Sequence, residues 1–138
     1  MATVVPMLAY RDGVAAMEWL VRAFGFVERA RWLGEDGRLS HGELIAGTDG
    51  VIMLATPTPL YEGPAAHREH CVEAAAWSTV PYIIDGVLVE VDDLDAHFEH
   101  ARAAGATILS APEPGGESGS RHYRAEDLEG HRWMFSGR

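Results

Sequence analysis

The sequence predicts an α+β fold in which two tandem βαβββ modules form a curved mixed sheet around a central cleft. One observation is the segment 87–106, which has the pattern of a half-buried strand, a tight corner and an amphipathic helix. The other is self-similarity at an offset of 80 residues, which pairs Asp92 with Asp12, Gly105 with Gly25 and, without a gap, Gly130 with Gly50. A single offset running through strand, helix and turn indicates an internal duplication.

The first module occupies residues 1–56. Apolar alternation predicts strands at 4–10, 26–33, 39–46 and 51–55, separated by turns at 12–13, 35–37 and 47–50. A helix is expected at 14–24, because Met17, Leu20 and Phe24 recur on one helical face and Gly25 is a typical helix stop. These elements follow the order βαβββ.

A linker at 57–82 joins this module to a second one at 83–138, and we treat 1–138 as a single domain. The linker carries a predicted helix at 65–77, and its length is typical of a lid, an arm or an interface element. The second module repeats the first, with a helix at 94–104, strands at 86–91, 106–111, 120–126 and 131–136, and a Pro/Gly/Ser loop at 112–119.

Composition restricts the possible partners. The formal net charge is −10 and the chain contains no Lys, so it is unsuited to nucleic acid, where neutralisation of phosphates dominates affinity. No apolar run is long enough to span a membrane, and the N-terminus lacks signal-peptide features. The single Cys71 fits a reducing compartment, so we expect a cytoplasmic protein.

Three phrases carry a family resemblance: RAFGF at 22–26, HGELIAG at 41–47 and AEDLEGHRWMF at 125–135. With the duplicated βαβββ pattern, they make the chain resemble the vicinal oxygen chelate superfamily, and within it the PhnB-like branch. That superfamily contains glyoxalase I, bleomycin-resistance proteins, fosfomycin-resistance enzymes and extradiol dioxygenases. The resemblance implies a glyoxalase-like fold, a homodimer and, in the enzymes, a divalent metal bound in the cleft by residues of the first and last strands of each module.

Carried over by register, those metal-binding positions are Pro6, Leu54, Gly86 and Met134 in this chain. None offers a carboxylate, an imidazole or a thiolate, which are the ligands of hard and borderline cations. A slip of one residue finds only Asp85. The sequence therefore predicts no metal site at these positions and no cofactor.

Strand alternation predicts which side chains line the cleft. The expected ligand-binding residues are Leu8, Tyr10, His41, Glu43, Ile52, Leu54, Leu88, Glu90, Arg121, Tyr123, Arg132 and Met134. A slip of one residue on the strand at 120–126 would replace Arg121 and Tyr123 by His122 and Arg124. No catalytic residue is identified; the best acid/base candidate is Glu43, which His41 could orient. The alternative is that both residues pair with Arg121 or Arg132 in a buried network.

Other polar groups favour structural roles. The spacing of His67, His70 and Cys71 suits a metal, but three potential ligands without a fourth indicate a solvated linker helix instead. His97 and His100 are expected on a solvated helix face. His131 is expected to bond the backbone of its turn. The four tryptophans are expected in the core or at an interface; they are Trp19, Trp32, Trp77 and Trp133.

Three functions remain open at this point. The first is a metal-free protein of the bleomycin-resistance type that binds a small, aromatic or cationic molecule. The second is a lyase- or dioxygenase-like enzyme that uses a displaced metal held by His41, Glu43 and Glu90, or Glu43 as general base with Arg132 or Tyr123 holding the oxyanion. The third is an assembly role for the 57–82 arm. A homodimer is compatible with all three.

Overall fold

A computed structural model describes residues 4–80, 84–114 and 119–138. The elements in chain order are β1 (Met7–Ala9), α1 (Gly13–Phe24), β2 (Val27–Leu33), β3 (Leu39–Ala46), β4 (Gly50–Ala55), α2 (Pro64–His70), α3 (Val72–Trp77), β5 (Gly86–Glu90), α4 (Leu94–Ala103), β6 (Thr107–Pro114), β7 (Arg121–Glu126) and β8 (Arg132–Gly137). In the described ranges, no helix combines the length and the apolar character needed to cross a bilayer.

Hydrogen bonds divide the eight strands into two mixed four-stranded sheets. The first sheet has the order β1-β4-β3-β2 and the second the order β5-β8-β7-β6. In each sheet the first strand pairs in parallel with the last, and the remaining pairs are antiparallel. The prediction of two tandem βαβββ modules in an α+β fold is therefore confirmed, with one sheet per module.

Three predicted elements differ from the structure. The first strand is shorter than 4–10, since only Met7–Ala9 pair. The strand predicted at 106–111 extends further, since β6 ends at Pro114. It lies at the edge of its sheet and contains bulges, which accommodate prolines that lack a backbone N–H. The single helix expected at 65–77 is broken at Cys71, whose backbone is extended. Residues 81 and 82 of the predicted linker and 115–118 of the predicted loop lie outside the described residues.

The two main helices begin at equivalent caps. Asp12 accepts the amide of Ala15 at 3.0 Å ahead of α1, and Asp93 accepts the amide of Ala96 at 3.1 Å ahead of α4. These caps are 81 residues apart (93 − 12), whereas the glycine stops at 25 and 105 are 80 apart. The gapless offset of 80 is therefore wrong, because the segment from cap to stop is one residue shorter in the second module.

Both helices pack against one face of their sheets, and the two modules share a single core. Met17 and Leu20 of α1 are fully buried. At the end of α1, the ring of Phe24 lies 4.7 Å from Phe135 and 5.7 Å from Trp133, both on β8 of the second module. Trp19 also belongs to this core, so the expectation for tryptophans is met there, whereas Trp32 and Trp77 are exposed.

Candidate functional site

The face of each sheet opposite its helix is called here the open face. On β3, Gly42 and Leu44 are buried on the helix side, where a Cβ on Gly42 would lie 2.6 Å from Sδ of Met17. The alternate residues of this strand, His41, Glu43 and Ile45, are only partly buried. The structure therefore places His41 and Glu43 on the open face, as the alternation of β3 predicts.

The predicted faces of β1 and β4 are wrong by one residue. Leu54 is only 2% exposed and pairs with the helix-side Gly42, while Ile52 pairs with Leu44. Leu8 pairs with Leu54 and Tyr10 is fully buried, so these two residues also belong to the core side. The reason is that these strands correspond to β5 and β8 at an offset of 81 residues and not 80. A slip of one residue transfers every side chain of a strand to its other face.

The open face of the first sheet therefore carries different residues on these two strands. They are Met7 and Ala9 on β1 and Met53 and Ala55 on β4, which pair with one another in register. Met53 also pairs with Glu43 of β3. The sequence reasoning missed these residues, although counting the strands from the two Asp caps instead of the two glycine stops would have found them.

The second sheet shows one correct and one incorrect face assignment. Leu88 pairs with Met134, and Gly86 with Arg132, on the open face. On β7, however, Tyr123 is fully buried and pairs with the core residue Phe135. Arg121 lies on the same side as Tyr123 and donates two hydrogen bonds of 3.0 Å to Asp95 of α4. The open face of β7 instead carries His122 and Arg124, the pair that a slip of one residue predicts.

A chain of four side chains crosses the open face of the first sheet. Nε2 of His41 lies 2.7 Å from Oε2 of Glu43, and Oε1 of the same carboxylate forms an ion pair with Nε of Arg29 at 3.0 Å. The ring of His41 lies 5.0 Å from the ring of Trp32, its cross-strand partner on β2. The network partner of Glu43 is thus Arg29, so the expected pairing with Arg121 or Arg132 is wrong.

Both residues of β2 lie at irregularities in the pairing. The register slips between Trp32 and Leu33, so Trp32 faces His41, whereas the hairpin pair Leu33 and Leu39 alone would have placed it opposite Ser40. Arg29 sits at an irregularity between Glu28 and Ala30, where the pairing slips. Such a bulge changes the direction of one side chain without a signal in the alternation, so Arg29 could not be predicted.

A cavity of about 360 Å³ opens beside His41 on this face. It is lined by Met7, Leu8, Ala9, Ser40, His41, Met53, Leu54, Ala55 and Pro57. The lining is mostly apolar with one imidazole, which is the usual character of a small-molecule site. Trp32, at 57% exposure, stands next to the imidazole with its ring accessible.

The other predicted residues line different cavities. Leu88, Arg132 and Met134 line one of about 200 Å³ on the second sheet, together with Arg124. Glu90 lines a third, of about 360 Å³, against the 46–52 segment of the first module. A further cavity of about 360 Å³ lies between the two modules, and its lining includes Leu8 and Arg132. The predicted ligand-binding residues are therefore spread over several cavities and do not share one.

The open-face residues do not fit the divalent metal that the family resemblance implies. Leu54 belongs to the core, and the open faces pair Met7 with Met53 in the first sheet and Leu88 with Met134 in the second. None of these side chains has an oxygen or imidazole donor. Within residues 4–80, 84–114 and 119–138, no three His, Cys, Asp or Glu side chains form a cluster able to hold a metal. His41, Glu43 and Glu90 therefore do not form the facial site considered above.

Arg132 is held in a buried ion network. Its guanidinium donates to Glu126 at 2.8 Å and to the carbonyls of Ser78 and Val80 at 2.7 Å. Arg68 of α2 donates two hydrogen bonds of 3.0 Å to the same Glu126. Since Ser78, Val80 and Arg68 lie in the 57–80 arm, this network fastens the arm to the end of the second sheet.

The turn at 127–131 fastens the second module to the first. Buried Asp127 accepts hydrogen bonds from the Tyr10 hydroxyl at 2.5 Å and from the Trp133 indole at 3.0 Å. Burial, and then the negative charge of Asp127, raise the pKa of Tyr10 well above its usual value. His131 contacts the carbonyl of Ala9 at 2.7 Å. The structural role expected for His131 is therefore real, but its partner is a strand of the other module.

His97 occupies the boundary between the modules, so the solvated face expected for it is wrong. Its Nε2 lies 2.9 Å from the carbonyl of Phe24 and its Nδ1 lies 2.6 Å from the Tyr123 hydroxyl. Burial lowers the pKa of His97 below its usual value. His100 lies 2.7 Å from the carbonyl of Arg22, one turn away. Both histidines thus bind the last turn of α1.

Comparison with known proteins identifies the superfamily of this chain. A family model described as the glyoxalase/bleomycin resistance protein/dioxygenase superfamily matches residues 3–135, and the chain belongs to this superfamily. It is 33% identical to TioX from Micromonospora sp. ML1, whose crystal structure matches 99% of this chain and 96% of that one with a TM-score of 0.70.

The chain is also similar to two further proteins. An uncharacterized protein of Mycobacterium bovis is 33% identical over 135 residues, which cover 94% of this chain and 79% of that protein. A superfamily member from Sphaerobacter thermophilus is 15% identical, has a TM-score of 0.69 and covers 100% of this chain and 98% of its own, which shows a shared fold.

Proposed function

We propose that this chain is a small-molecule binding protein of the bleomycin-resistance type, which takes a planar aromatic ligand on the open face of its first sheet. The observation that carries this proposal is the exposed ring of Trp32 beside His41, at the margin of an apolar cavity. Aromatic rings pack well on tryptophan, and the thioethers of Met7 and Met53 make favourable contacts with ring edges.

The polar groups of this face specify what the ligand carries. Both oxygens of Glu43 are engaged, by His41 and by Arg29. A carboxylate is an acceptor only, so in the neutral imidazole it takes the Nε2 hydrogen and leaves Nδ1 as an acceptor. The proposed ligand is therefore aromatic, neutral or cationic, and donates an N–H or O–H to Nδ1 of His41.

The enzymatic alternative receives less support. A lyase- or dioxygenase-like reaction through a displaced metal needs a donor cluster, and none forms within the described ranges. Glu43 as general base would have to accept a proton while each of its oxygens already contacts a partner, His41 or Arg29. Of the predicted oxyanion donors, Tyr123 is buried in the core and Arg132 is engaged with Glu126.

We also propose, from the sequence resemblance, that the chain belongs to the PhnB-like branch, acts in the cytoplasm and forms a homodimer. The exposed apolar residues of the open faces support the homodimer, because Met7 is 79% exposed and Leu88 is 59% exposed. Exposed apolar surface of this kind is typical of interaction sites, and a second copy could cover it by twofold symmetry.

A melting-temperature screen with planar aromatic compounds, including a cationic acridine dye and a neutral planar analogue, tests the binding proposal. A ligand found in this way should bind Trp32→Ala about threefold to tenfold more weakly, as expected for loss of one aromatic contact. The matched control is Trp77→Ala, which removes the other exposed tryptophan, on the arm. Equal affinity of the two variants, or no stabilising compound in the screen, would contradict the proposal.

A further inference from the structure

Two thioethers and one imidazole line the same cavity of the first sheet. The thioethers of Met7 and Met53 belong to paired residues of adjacent strands, and both line the cavity together with His41. Met7 is 79% exposed, so its side chain contributes little to the core. Met53 pairs with Glu43, the residue that holds His41 on the next strand.

The imidazole is held in the manner of a metal ligand. Nε2 of His41 is 2.7 Å from a carboxylate oxygen of Glu43, and Arg29 secures the other oxygen at 3.0 Å. Metal-binding histidines usually donate their second ring N–H to a carboxylate, which fixes the ring and makes the ligating nitrogen more basic. This arrangement leaves Nδ1 of His41 as the nitrogen whose lone pair can bind a metal ion.

Two thioethers and one imidazole have a definite preference among metal ions. Thioethers bind soft cations such as Cu(I), whereas Mg²⁺, Ca²⁺ and Mn²⁺ require oxygen ligands. Of the remaining lining, Ala9, Ala55 and Pro57 have no oxygen-bearing side chain, and the hydroxyl of Ser40 donates to the carbonyl of Trp32 at 2.9 Å. We propose that Met7, Met53 and His41 form a binding site for a soft monovalent cation, Cu(I) or its analogue Ag(I).

The second sheet supplies an internal comparison. Adding 81 to each number gives Leu88 for Met7, Met134 for Met53 and His122 for His41, and these lie on the equivalent open face. One thioether is thus replaced by an isobutyl group. The carboxylate of Glu43 is likewise replaced by Arg124, and the carboxylate beside His122 is instead that of Glu113 on β6, 3.5 Å from Nε2. Only the first module retains all three donors, and the proposal assigns the site to it alone.

Silver and copper titrations test this site directly. The background is Cys71→Ser, because the partly exposed thiol of Cys71 would itself bind soft cations. Untagged protein is titrated with Ag(I) in chloride-free buffer, followed by native mass spectrometry, and with Cu(I) under anaerobic conditions against a chromogenic chelator. The expected result is one cation per chain, with Zn²⁺ unable to displace it.

The variants identify the donors. Met7→Leu, Met53→Leu and His41→Phe should each weaken binding by roughly tenfold or more. Met→Leu preserves volume in an apolar setting, so unchanged circular dichroism and melting temperature are expected. The matched control Met134→Leu should keep the affinity of the background protein. Absence of tight Ag(I) and Cu(I) binding, or an equal loss in Met134→Leu, would overturn the proposal.

The soft-cation site does not depend on the aromatic ligand. The titrations contain no organic compound, so their failure would leave the ligand-binding proposal intact. Conversely, if the screen finds no stabilising aromatic compound, the soft-cation proposal still stands, because it is tested by the silver affinity alone. A third measurement links the two: if both proposals hold, Ag(I) bound at Nδ1 of His41 should reduce the affinity for a ligand that donates to that nitrogen.

Discussion

At the scale of single residues, the position of a polar group in the packing decides its role more than its type does. Glu126 and Glu43 are both carboxylates on central strands next to arginine. Glu126 is enclosed by Arg68 and Arg132 and is 5% exposed, so it stabilises the arm. Glu43 contacts His41, which lines an open cavity. Glu43 is therefore the carboxylate that can influence a bound molecule.

The buried network should be sensitive to removal of its central cation. Arg132→Met leaves Glu126 with Arg68 alone and removes the donor to the carbonyls of Ser78 and Val80. Breaking one partner of a buried pair costs about 3–5 kcal/mol of unfolding free energy. Urea denaturation measures the loss. Arg121→Met, which breaks an exposed pair with Asp95, is the control and should cost far less.

His97 should make stability depend on pH. In the unfolded chain its pKa is about 6.5, and burial lowers the pKa in the folded protein. Unfolding therefore takes up a proton between these two values, so the contribution of His97 is complete above about pH 6.5 and is lost as the pH falls toward the folded pKa. The groups facing His97 are the Tyr123 hydroxyl, the Phe24 carbonyl and, on the same helix, His100.

Urea denaturation of the wild type and of His97→Gln at pH 7.5, 6.5 and 5.5 isolates this effect. Glutamine can still donate to the Phe24 carbonyl but does not titrate. The wild type should lose more unfolding free energy than the variant as the pH falls. Parallel losses in the two proteins would show that His97 is not the group responsible.

At the scale of elements, local pattern predicted the strands and helices well, and register poorly. The alternation of β3 and β5 placed their side chains on the observed faces, because each strand contains buried residues that identify its core side. The faces of β1, β4 and β7 were inferred from the repeat offset. The strands β1, β3 and β4 correspond to β5, β7 and β8 at an offset of 81 residues, whereas the glycine stops that set the inferred offset lie 80 residues apart. This difference of one residue reversed all three strands.

The arm shows a second limit of local pattern. Arg68 and Ala74 are six residues apart, so in one continuous helix they would project about 120° apart. In the structure Arg68 reaches Glu126 and Ala74 is buried, and the extended residue Cys71 between α2 and α3 permits both. The break thus follows from contacts with the second module, which a helical pattern within 65–77 does not contain.

The turn at 127–131 should control the start of α1. The carboxylate of Glu129 accepts the backbone amides of Arg11 at 2.7 Å and Asp12 at 2.9 Å. Glu129→Ala leaves both amides without this partner and should cost about 1 kcal/mol of unfolding free energy. Hydrogen exchange should show faster exchange at these two amides. Asp93→Ala, which removes the N-cap of α4, is the control and should affect only the second helix.

At the scale of the whole molecule, the two modules are joined on the helix side and open on the other. Phe24 packs on Phe135 and Trp133, while the turn at 127–131 holds Tyr10 and Ala9. The open faces carry the exposed Met7, Trp32 and Leu88. Because the two open faces are separate, the predicted cleft residues fall into separate cavities within one chain. A test of homodimer formation should therefore target the open faces.

The homodimer proposal predicts a charge-sensitive interface at the open faces. Leu88→Glu places a carboxylate in the proposed contact and should weaken dimerisation by roughly tenfold or more, as measured by sedimentation equilibrium. Leu60→Glu introduces the same charge at a 90% exposed position on the arm and should leave the dimer intact. If Leu60→Glu alone dissociates it, assembly uses the arm, and a monomeric wild type would contradict the proposal.

The shared core also limits how the duplicated halves can be exchanged. At the offset of 81, Leu20 corresponds to Ala101, Ile52 to Trp133 and Leu54 to Phe135, so α1 is the bulkier helix and β8 the bulkier strand. The bulky side chains of the core are thus divided unequally between the two copies. A synthetic gene encoding the first half twice would lack the aromatic rings that surround Phe24 and leave a void there. What began as two equal copies has become a complementary pair, and neither half can now substitute for the other.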